Sequence, residues 1–420
     1  MNSTTPSSTS LKKDRIINVA LTVICQSFNA LSLGGLALLL PLIRQDLGLT
    51  YAQAGSLAAS ATLVYALMQI PSGYLTDRFS PKRLFVIGVF GSAALALLLG
   101  LVQEYWQAMA TQTLSGFFRA LMFAPGMAVI TGWFPPERRA TAMGLYLVGG
   151  QTGSVIFNLV GPLLVTLGPV LVSIAGWRFA FISVAALGML SALVLGKLGK
   201  KPVFLAPRRK SGLLEIFELF RYQIIWVCAG IQFIRYSITL SLTYWLPSLL
   251  VSEKGLDLQF TGFIIALQAV LIAPSNVIGG YISDRLKQPT AVIFASLIVL
   301  AFTTTLIVLV HNIPLLIVLI AVNALFIQMY FGPLFSIPVE VLGAQKAGIS
   351  SGFSNTFANL GGLLATYILG ALKDATGGFA AGFHYIAGLA VAGILLTVIL
   401  TRMRKQALSG TGPLKPPADR

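Results

Sequence analysis

Long apolar runs alternate with short polar segments along the whole chain. Twelve of these runs are long enough to cross about 30 Å of hydrocarbon. They lie at residues 16–43, 51–76, 84–103, 107–134, 138–170, 177–197, 222–250, 258–282, 289–311, 313–340, 345–372 and 380–402. A segment surrounded by lipid must satisfy its own backbone hydrogen bonds, so each run is predicted to be an α-helix. The pattern therefore predicts an all-α membrane protein with twelve transmembrane helices.

The composition strengthens this prediction and excludes a soluble enzyme. Hydrophobic residues make up 56% of the 420 positions, charged residues only 10%, and the mean hydropathy is +0.84. In a typical soluble domain about 25% of all residues are charged. The net charge of +16 does not indicate nucleic acid, because the basic residues stand at the ends of the apolar runs. We expect the lipid bilayer to be the surrounding partner and nucleic acid not to be one.

The basic residues also predict an orientation and a division of the chain. With the N-terminus inside, 23 of the 29 Lys and Arg residues fall on the cytoplasmic side, as the positive-inside rule requires. We therefore expect a multi-pass protein of the bacterial cytoplasmic (inner) membrane with both termini in the cytoplasm. The predicted parts are an N-terminal tail (1–15), a six-helix half (16–198), a basic connector (199–221), a second six-helix half (222–403) and a C-terminal tail (404–420).

Two short motifs recur at one constant offset. Gly48-Leu-Thr-Tyr-Ala-Gln-Ala-Gly55 returns as Gly255-Leu-Asp-Leu-Gln-Phe-Thr-Gly262, and Gly73-Tyr-Leu-Thr-Asp77-Arg78 returns as Gly280-Tyr-Ile-Ser-Asp284-Arg285. Both offsets are 207 residues (255 − 48 and 284 − 77), without a gap. The two halves are therefore predicted to be parallel, pseudo-symmetric repeats.

The second of these motifs resembles the signature loop of the major facilitator superfamily, which has Gly, three residues, Asp-Arg and then basic residues. Here Lys82 and Arg83 supply the basic residues. The resemblance covers about 15–405 and implies the major facilitator fold and transport by alternating access. It also implies a gating role for the loops; the residues concerned are Gly73, Asp77, Arg78, Gly280, Asp284 and Arg285. The alternative is a solvated turn that only marks topology.

Other segments resemble particular branches of that superfamily. Pro125-Gly126, the stretch 133–144, Arg235-Tyr236 and the stretch 352–377 are similar to the anion:cation symporter and organophosphate antiporter branches. Gly149-Gly150-Gln151-Thr152-Gly153 is similar to the nitrate/nitrite porter signature, except that Gln151 stands where that signature has Asn.

Arg119 and Arg235 are the two basic residues that belong to neither side of the membrane. Each lies twelve or thirteen residues inside its apolar run, about 18–20 Å from the end at 1.5 Å per residue. A charge at that depth costs at least about 2.5–3.5 kcal/mol, so we expect both to face a watery path. Some polar residues share the face of Arg235 at helical spacing, and others lie on helices one and ten, which line the path in the superfamily fold. Asn355, Asn359 and Gln151 stand in the segments that are similar to its branches. The predicted substrate-binding residues are Arg119, Arg235, Gln26, Asn29, Gln232, Tyr236, Thr239, Asn323, Tyr330, Asn355, Asn359 and Gln151.

A guanidinium recognises carboxylate, phosphate or nitrate through a fork of hydrogen bonds. All thirteen acidic residues fall at or near predicted helix ends, in loops or in tails, so no acid in the sequence is placed to pair with either arginine. The leading hypothesis is therefore a monomeric secondary transporter for a small anionic solute, most simply an organic carboxylate. The alternative for each arginine is a bond to helix carbonyls that braces the fold.

Other functions stay open at this level. A phosphate-ester or nitrate-type exchanger would use the same arginines. A hydrophobic drug efflux pump usually carries an acidic residue in helix one or four, which this chain lacks, and a non-transporting receptor would need no polar stripe. Cys25 and Cys228 both lie in apolar runs and are predicted to be small buried side chains, not a disulfide or metal pair. We predict no cofactor and no metal site.

Overall fold

The structure is a computed structural model that describes residues 8–135, 139–200, 222–342 and 347–409. Most of the predicted tails, the connector from residue 201 to 221, and residues 136–138 and 343–346 lie outside the described residues. Within the described ranges every regular element is an α-helix, which confirms the predicted fold class. The helices are α1 (Ser8–Asp46), α2 (Tyr51–Arg78), α3 (Pro81–Leu99), α4 (Tyr105–Thr131), α5 (Arg139–Val172), α6 (Gly176–Leu198), α7 (Gln223–Ser252), α8 (Leu258–Leu286), α9 (Pro289–Leu309), α10 (Ile313–Ile327), α11 (Phe331–Leu342), α12 (Ala347–Thr376) and α13 (Ala380–Leu408).

Nine segments of the described chain are long and apolar enough to cross a membrane. They lie in α3 to α9, in α10 and α11 taken together, and in α13. The other three predicted spans, α1, α2 and α12, form helices of 39, 28 and 30 residues.

The tenth apolar run is not one helix, contrary to the prediction for 313–340. Helix α10 ends at Ile327, a turn covers residues 328–330, and α11 begins at Phe331. The backbone N–H of Phe331 donates to the carbonyl of Gln328 (3.1 Å), and that of Met329 donates to Phe326 (3.3 Å). These tight bonds span three residues and end α10, while the run stays apolar on both sides of the turn.

The chain divides into two compact units. In the described residues, unit 1 comprises 8–47 and 60–200, and unit 2 comprises 48–59 and 222–409. In unit 1, α1 packs closely on α5: a Cβ at Gly153 would overlap the carbonyl of Ser27. Gly116 of α4 lies equally close to the carbonyl of Ala61 in α2. Small residues let membrane helices approach to this distance. Phe85, Met122 and Tyr146 are buried in the core between α3, α4 and α5.

Unit 2 is built around α7 and α12. The indole N–H of Trp245 in α7 donates to the carbonyl of Thr366 in α12 (2.9 Å), and Gly361 packs against the carbonyl of Phe233. The repeat glycines share one backbone conformation, since φ is +60° at Gly48 before α2 and +66° at Gly255 before α8. This left-handed region is open to glycine at no steric cost, which explains why both copies of the motif begin with it.

Candidate functional site

Arg235 lies in the interior of α7, twelve residues after the helix begins at Gln223, and is only 3% exposed. Its Nε donates to Oε1 of Gln232, one turn earlier (2.5 Å). Its Nη1 donates to Oε1 of Gln328, which stands at the end of α10 (2.9 Å). Both hydrogen-bonding partners are neutral amides. The end of α10 also carries the partial negative charge of a helix C-terminus, which favours a nearby cation.

Two aromatic rings lie beside the same guanidinium. Its carbon is 4.8 Å from the ring centroid of Phe331 and 5.7 Å from that of Tyr236. A cation within about 6 Å of a ring face is attracted by the quadrupole of the ring. The rings therefore stabilise the charge in place, but they do not neutralise it.

Two buried polar groups at this place have no hydrogen-bond partner in the described part of the chain. They are Nε2 of Gln232 and the hydroxyl of Tyr330, and both residues are fully buried. An unsatisfied buried donor costs about 1–3 kcal/mol, so such groups call for an explanation. We refer to Gln232, Arg235, Tyr236, Gln328, Tyr330 and Phe331 as the Arg235 cluster. It presents a guanidinium, an amide NH2 and a phenol as donors.

No carboxylate among the described residues forms an ion pair with Arg235 or Arg119. Ion pairs between described residues join Asp46 to Arg178, Asp14 to Lys200, Glu253 to Lys373, and Glu340 to Arg404. All of these pairs lie at or near helix ends or in short connections. The two interior arginines thus carry their charge with neutral neighbours.

Arg119 lies in the interior of α4 in unit 1 and is half-buried. Its guanidinium carbon is 6.0 Å from the ring centroid of Tyr65 in α2. Its Nε is buried without a hydrogen-bond partner among the described residues. Arg119 is therefore a second donor whose hydrogen-bonding capacity is not filled.

A second polar contact in unit 1 joins α1, α4 and α5. The hydroxyl of Tyr146 lies 2.9 Å from Oε1 of Gln26 and 2.9 Å from the carbonyl of Met122. Gln26 is partly exposed, whereas Tyr146 is fully buried. The predicted residue Gln26 is thus held by a tyrosine that the sequence interpretation did not single out.

The remaining predicted binding residues fall into different surroundings. Thr239 donates to the carbonyl of Arg235 within α7 (2.9 Å). Asn323 is buried, and its NH2 group donates to the hydroxyls of Thr303 (2.9 Å) and Thr304 (3.3 Å) in α9, while its Oδ1 has no hydrogen-bond partner among the described residues. Asn359 is buried and donates to the carbonyl of Asn355 (2.8 Å). The side chains of Asn355 and Gln151 are exposed, and that of Asn29 lies outside the described residues.

The gating motifs lie at the ends of α2 and α8. Arg78 is exposed and stacks on the ring of Tyr74 (4.5 Å), and Asp284 and Arg285 are exposed as well. Gly73 and Gly280 are alike, because a Cβ at either would meet no atom within 4 Å. The side chain of Asp77 lies outside the described residues. The gating role of these residues stays a prediction.

Comparison with known proteins gives a family match over most of the chain. The sequence profile of one family, described as the Major Facilitator Superfamily, matches residues 22–366, and a second match covers 255–416. The chain belongs to the Major Facilitator Superfamily. This confirms the resemblance carried by the signature loop, and it makes the chain a membrane transporter and not an enzyme.

Other members of the superfamily match over nearly the full length. The hexuronate transporter of Bacillus subtilis (strain 168) is 25% identical over 93% of this chain and 95% of its own length. The D-galactonate transporter of Escherichia coli O6:H1 is 24% identical over 85% of this chain and 89% of its own. A crystal structure of a bacterial homolog of the human lysosomal transporter Spinster has a TM-score of 0.76 at 18% identity, covering 96% of this chain and 99% of that one. That structural likeness shows the shared fold.

Proposed function

We propose that this superfamily member carries a small organic carboxylate across the bacterial cytoplasmic membrane by alternating access, as a secondary active transporter. Arg235 and Arg119 are its anion anchors. The observation that carries the proposal is the state of Arg235, which is 3% exposed, lies inside a membrane helix and has only neutral hydrogen-bond partners in the described chain.

The energetics favour an anion as the missing partner. A charge at this depth costs at least about 2.5–3.5 kcal/mol on insertion scales, and two glutamines and two rings compensate only part of it. A carboxylate would add charge-assisted hydrogen bonds, which are roughly twice as strong as neutral ones. The unpartnered Nε2 of Gln232 and the hydroxyl of Tyr330 would find acceptors in the same oxygens.

The curated relatives support an organic acid in particular. Those reported above are named for hexuronate and for D-galactonate, and each of these solutes combines a carboxylate with several hydroxyl groups. The donors of the Arg235 cluster and the half-buried Arg119 suit both kinds of oxygen. We therefore name a hydroxylated carboxylate as the solute class.

The proposal includes a topology and an oligomeric state. Both termini lie in the cytoplasm, because 23 of the 29 basic residues then fall on that side. The protein works as a monomer in the bilayer. A C-terminal green fluorescent protein fusion should fluoresce, whereas a C-terminal alkaline phosphatase fusion should be inactive; the reverse pattern contradicts this topology.

The test of function is uptake into proteoliposomes that contain the purified full-length protein. Radiolabelled D-galactonate and D-glucuronate are the probes, and glucose 6-phosphate, nitrate and a lipophilic cation are the competitors. Uptake of either acid, blocked by the other acid but not by the cation, supports the proposal. Uptake of radiolabelled glucose 6-phosphate or nitrate, without uptake of the acids, would favour a phosphate-ester or inorganic-anion exchanger instead.

Variants then test the anchors. Arg235→Gln and Arg119→Gln should each reduce uptake about 100-fold, because removing one member of a desolvated charge pair costs several kcal/mol. Arg402→Gln removes the same charge from an exposed position at the end of α13 and serves as the matched control. Full uptake by both anchor variants would rule the anion model out.

A further inference from the structure

Gln328 stands in the turn that separates α10 from α11, and the backbone on both sides of it is fixed to α8. Before it, the carbonyl of Leu325 accepts from the hydroxyl of Ser275, a fully buried residue of α8 (2.5 Å). After it, the carbonyl of Met329 lies so close to Gly279 that a Cβ on this glycine would overlap it. The packing of the turn on α8 therefore places Gln328 without any help from its own side chain.

The side chain of Gln328 presents its oxygen to Arg235. Every polar atom of a guanidinium is a donor, so only the carbonyl end of an amide can bond to it. Oε1 of Gln328 lies 2.9 Å from Nη1, and Oε1 of Gln232 lies 2.5 Å from Nε. The orientation of both amides is thus fixed by the chemistry of the group that they share.

A carboxylate at position 328 would reach the same nitrogen. Glutamate has the shape of glutamine with an oxygen in place of the NH2 group, and it forms a forked ion pair with a guanidinium. Unit 2 contains such a pair elsewhere, because Nε and Nη2 of Arg404 each donate to one oxygen of Glu340 (2.8 Å). The amide of Gln328 instead holds Arg235 by a hydrogen bond and leaves its positive charge uncompensated.

We infer that Gln328 is a positioning residue whose neutrality makes the site selective for an anion. It acts through Arg235: the amide holds the guanidinium in place, and the charge of the guanidinium stays available to the carboxylate of the solute. A carboxylate in the same place would pair with the guanidinium itself and would repel an arriving anion. The inference rests on the proposed function and deepens it, because it names the residue that keeps the anion site open.

Gln328→Glu tests the inference directly, because it adds one negative charge with little change of shape. Equilibrium binding of radiolabelled D-galactonate to the detergent-purified full-length protein should weaken about 100-fold. The unfolding midpoint of the solute-free protein should stay the same or rise, because the buried guanidinium gains a counter-charge. Loss of a merely structural contact would lower both affinity and stability. Gln259→Glu adds the same charge at an exposed position in the first turn of α8, and as the matched control it should leave the affinity unchanged.

Gln328→Leu separates the hydrogen bond from the charge. It removes the acceptor of Nη1 and adds no charge, so the unfolding midpoint should fall by about 1–3 °C. Binding of D-galactonate should weaken only about three- to tenfold, because Arg235 keeps its charge but is no longer held in one geometry. In an Arg235→Gln background the same substitution should leave the midpoint unchanged, because no buried charge remains for the amide to hold.

The outcomes are distinct. Binding about 100-fold weaker in Gln328→Glu, without a lower midpoint, supports the inference. A native dissociation constant in this variant, or weaker binding together with a lower midpoint, overturns the inference and leaves the proposed function standing. If Gln328→Glu does not fold, Gln328→Leu decides: unchanged binding overturns the inference, and binding three- to tenfold weaker supports it. If the native protein binds neither D-galactonate nor D-glucuronate, the proposed function fails, and this inference fails with it.

Discussion

The buried ammonium of Lys373 permits a quantitative test of the packing in unit 2. Its side chain is 8% exposed, and Nζ contacts Oε1 of Glu253 (2.5 Å) and the carbonyl of Gly377 (2.8 Å). The rings of Phe379 and Tyr51 lie 4.6 and 5.3 Å from the nitrogen. Glu253 also accepts from the backbone N–H of Phe379 (2.8 Å). The carboxylate therefore joins the end of α7 to the connection between α12 and α13.

The substitution Glu253→Gln keeps an acceptor for Phe379 but leaves the ammonium without its counter-charge. Breaking a fully buried pair costs about 3–5 kcal/mol, whereas an exposed pair contributes about 0–1 kcal/mol. The Glu253 side chain is 27% exposed, so an intermediate loss of about 2 kcal/mol follows. In a chain of 420 residues that corresponds to about 2 °C in the apparent unfolding temperature.

The assay is thermal unfolding of the detergent-purified protein, followed by tryptophan fluorescence at one fixed heating rate. The matched control is Glu340→Gln, which neutralises the partner of Arg404 in a more exposed pair (35% for Glu340) and should shift the midpoint by about 1 °C or less. If Glu253→Gln destabilises the protein no more than Glu340→Gln does, the reasoning about the buried ammonium is wrong.

Two glycine pairs give the remaining predictions. Gly279→Ala should cost about 2 kcal/mol or more and weaken D-galactonate uptake, because a Cβ there would overlap the carbonyl of Met329 in the turn that places Gln328 on Arg235. Gly280→Ala is the control, because a Cβ there meets nothing within 4 Å, and it should leave the unfolding midpoint unchanged. Equal midpoints for the two variants would show that the turn at residues 328–330 does not pack against Gly279 of α8. Gly48→Ala and Gly255→Ala should each lower stability by about 1–2 kcal/mol, because both positions have positive φ. Gly388→Ala, in an open position within α13, is their control, and unfolding midpoints equal to that control would argue against the left-handed conformation.

Much of the fold could be predicted from the sequence, because lipid imposes one secondary structure on long apolar runs. The repeat was visible in the same way: Gly48 and Gly255 recur at one offset, and both take the left-handed conformation that only glycine enters freely. The break at residues 328–330 could not be predicted from hydropathy. The run from Ile313 to Pro338 is apolar enough to count as one span. Local backbone hydrogen bonds end α10 within it, and no polar stretch in the sequence indicates this end.

The candidate site could be predicted only in part. Arg235, Gln232 and Tyr236 were found because helical spacing puts them on one face of α7. Gln328 was missed, although a glutamine inside an apolar run was a signal, because its contact with Arg235 joins residues 93 apart in sequence. Tyr146 was missed for a similar reason, since its contact with Gln26 joins residues 120 apart in sequence. Asn323 is the opposite case. Its position in the sequence made it a binding candidate, but its NH2 group donates to the hydroxyls of Thr303 and Thr304.

Equilibrium binding of radiolabelled D-galactonate to purified Arg235→Gln, compared with the native protein, tests the central claim most directly. The guanidinium is 3% exposed and has neutral partners, so its loss should weaken binding about 100-fold while the unfolding midpoint of the solute-free protein stays the same or rises. An unchanged dissociation constant in a correctly folded variant would contradict the assignment of Arg235 as the anion anchor.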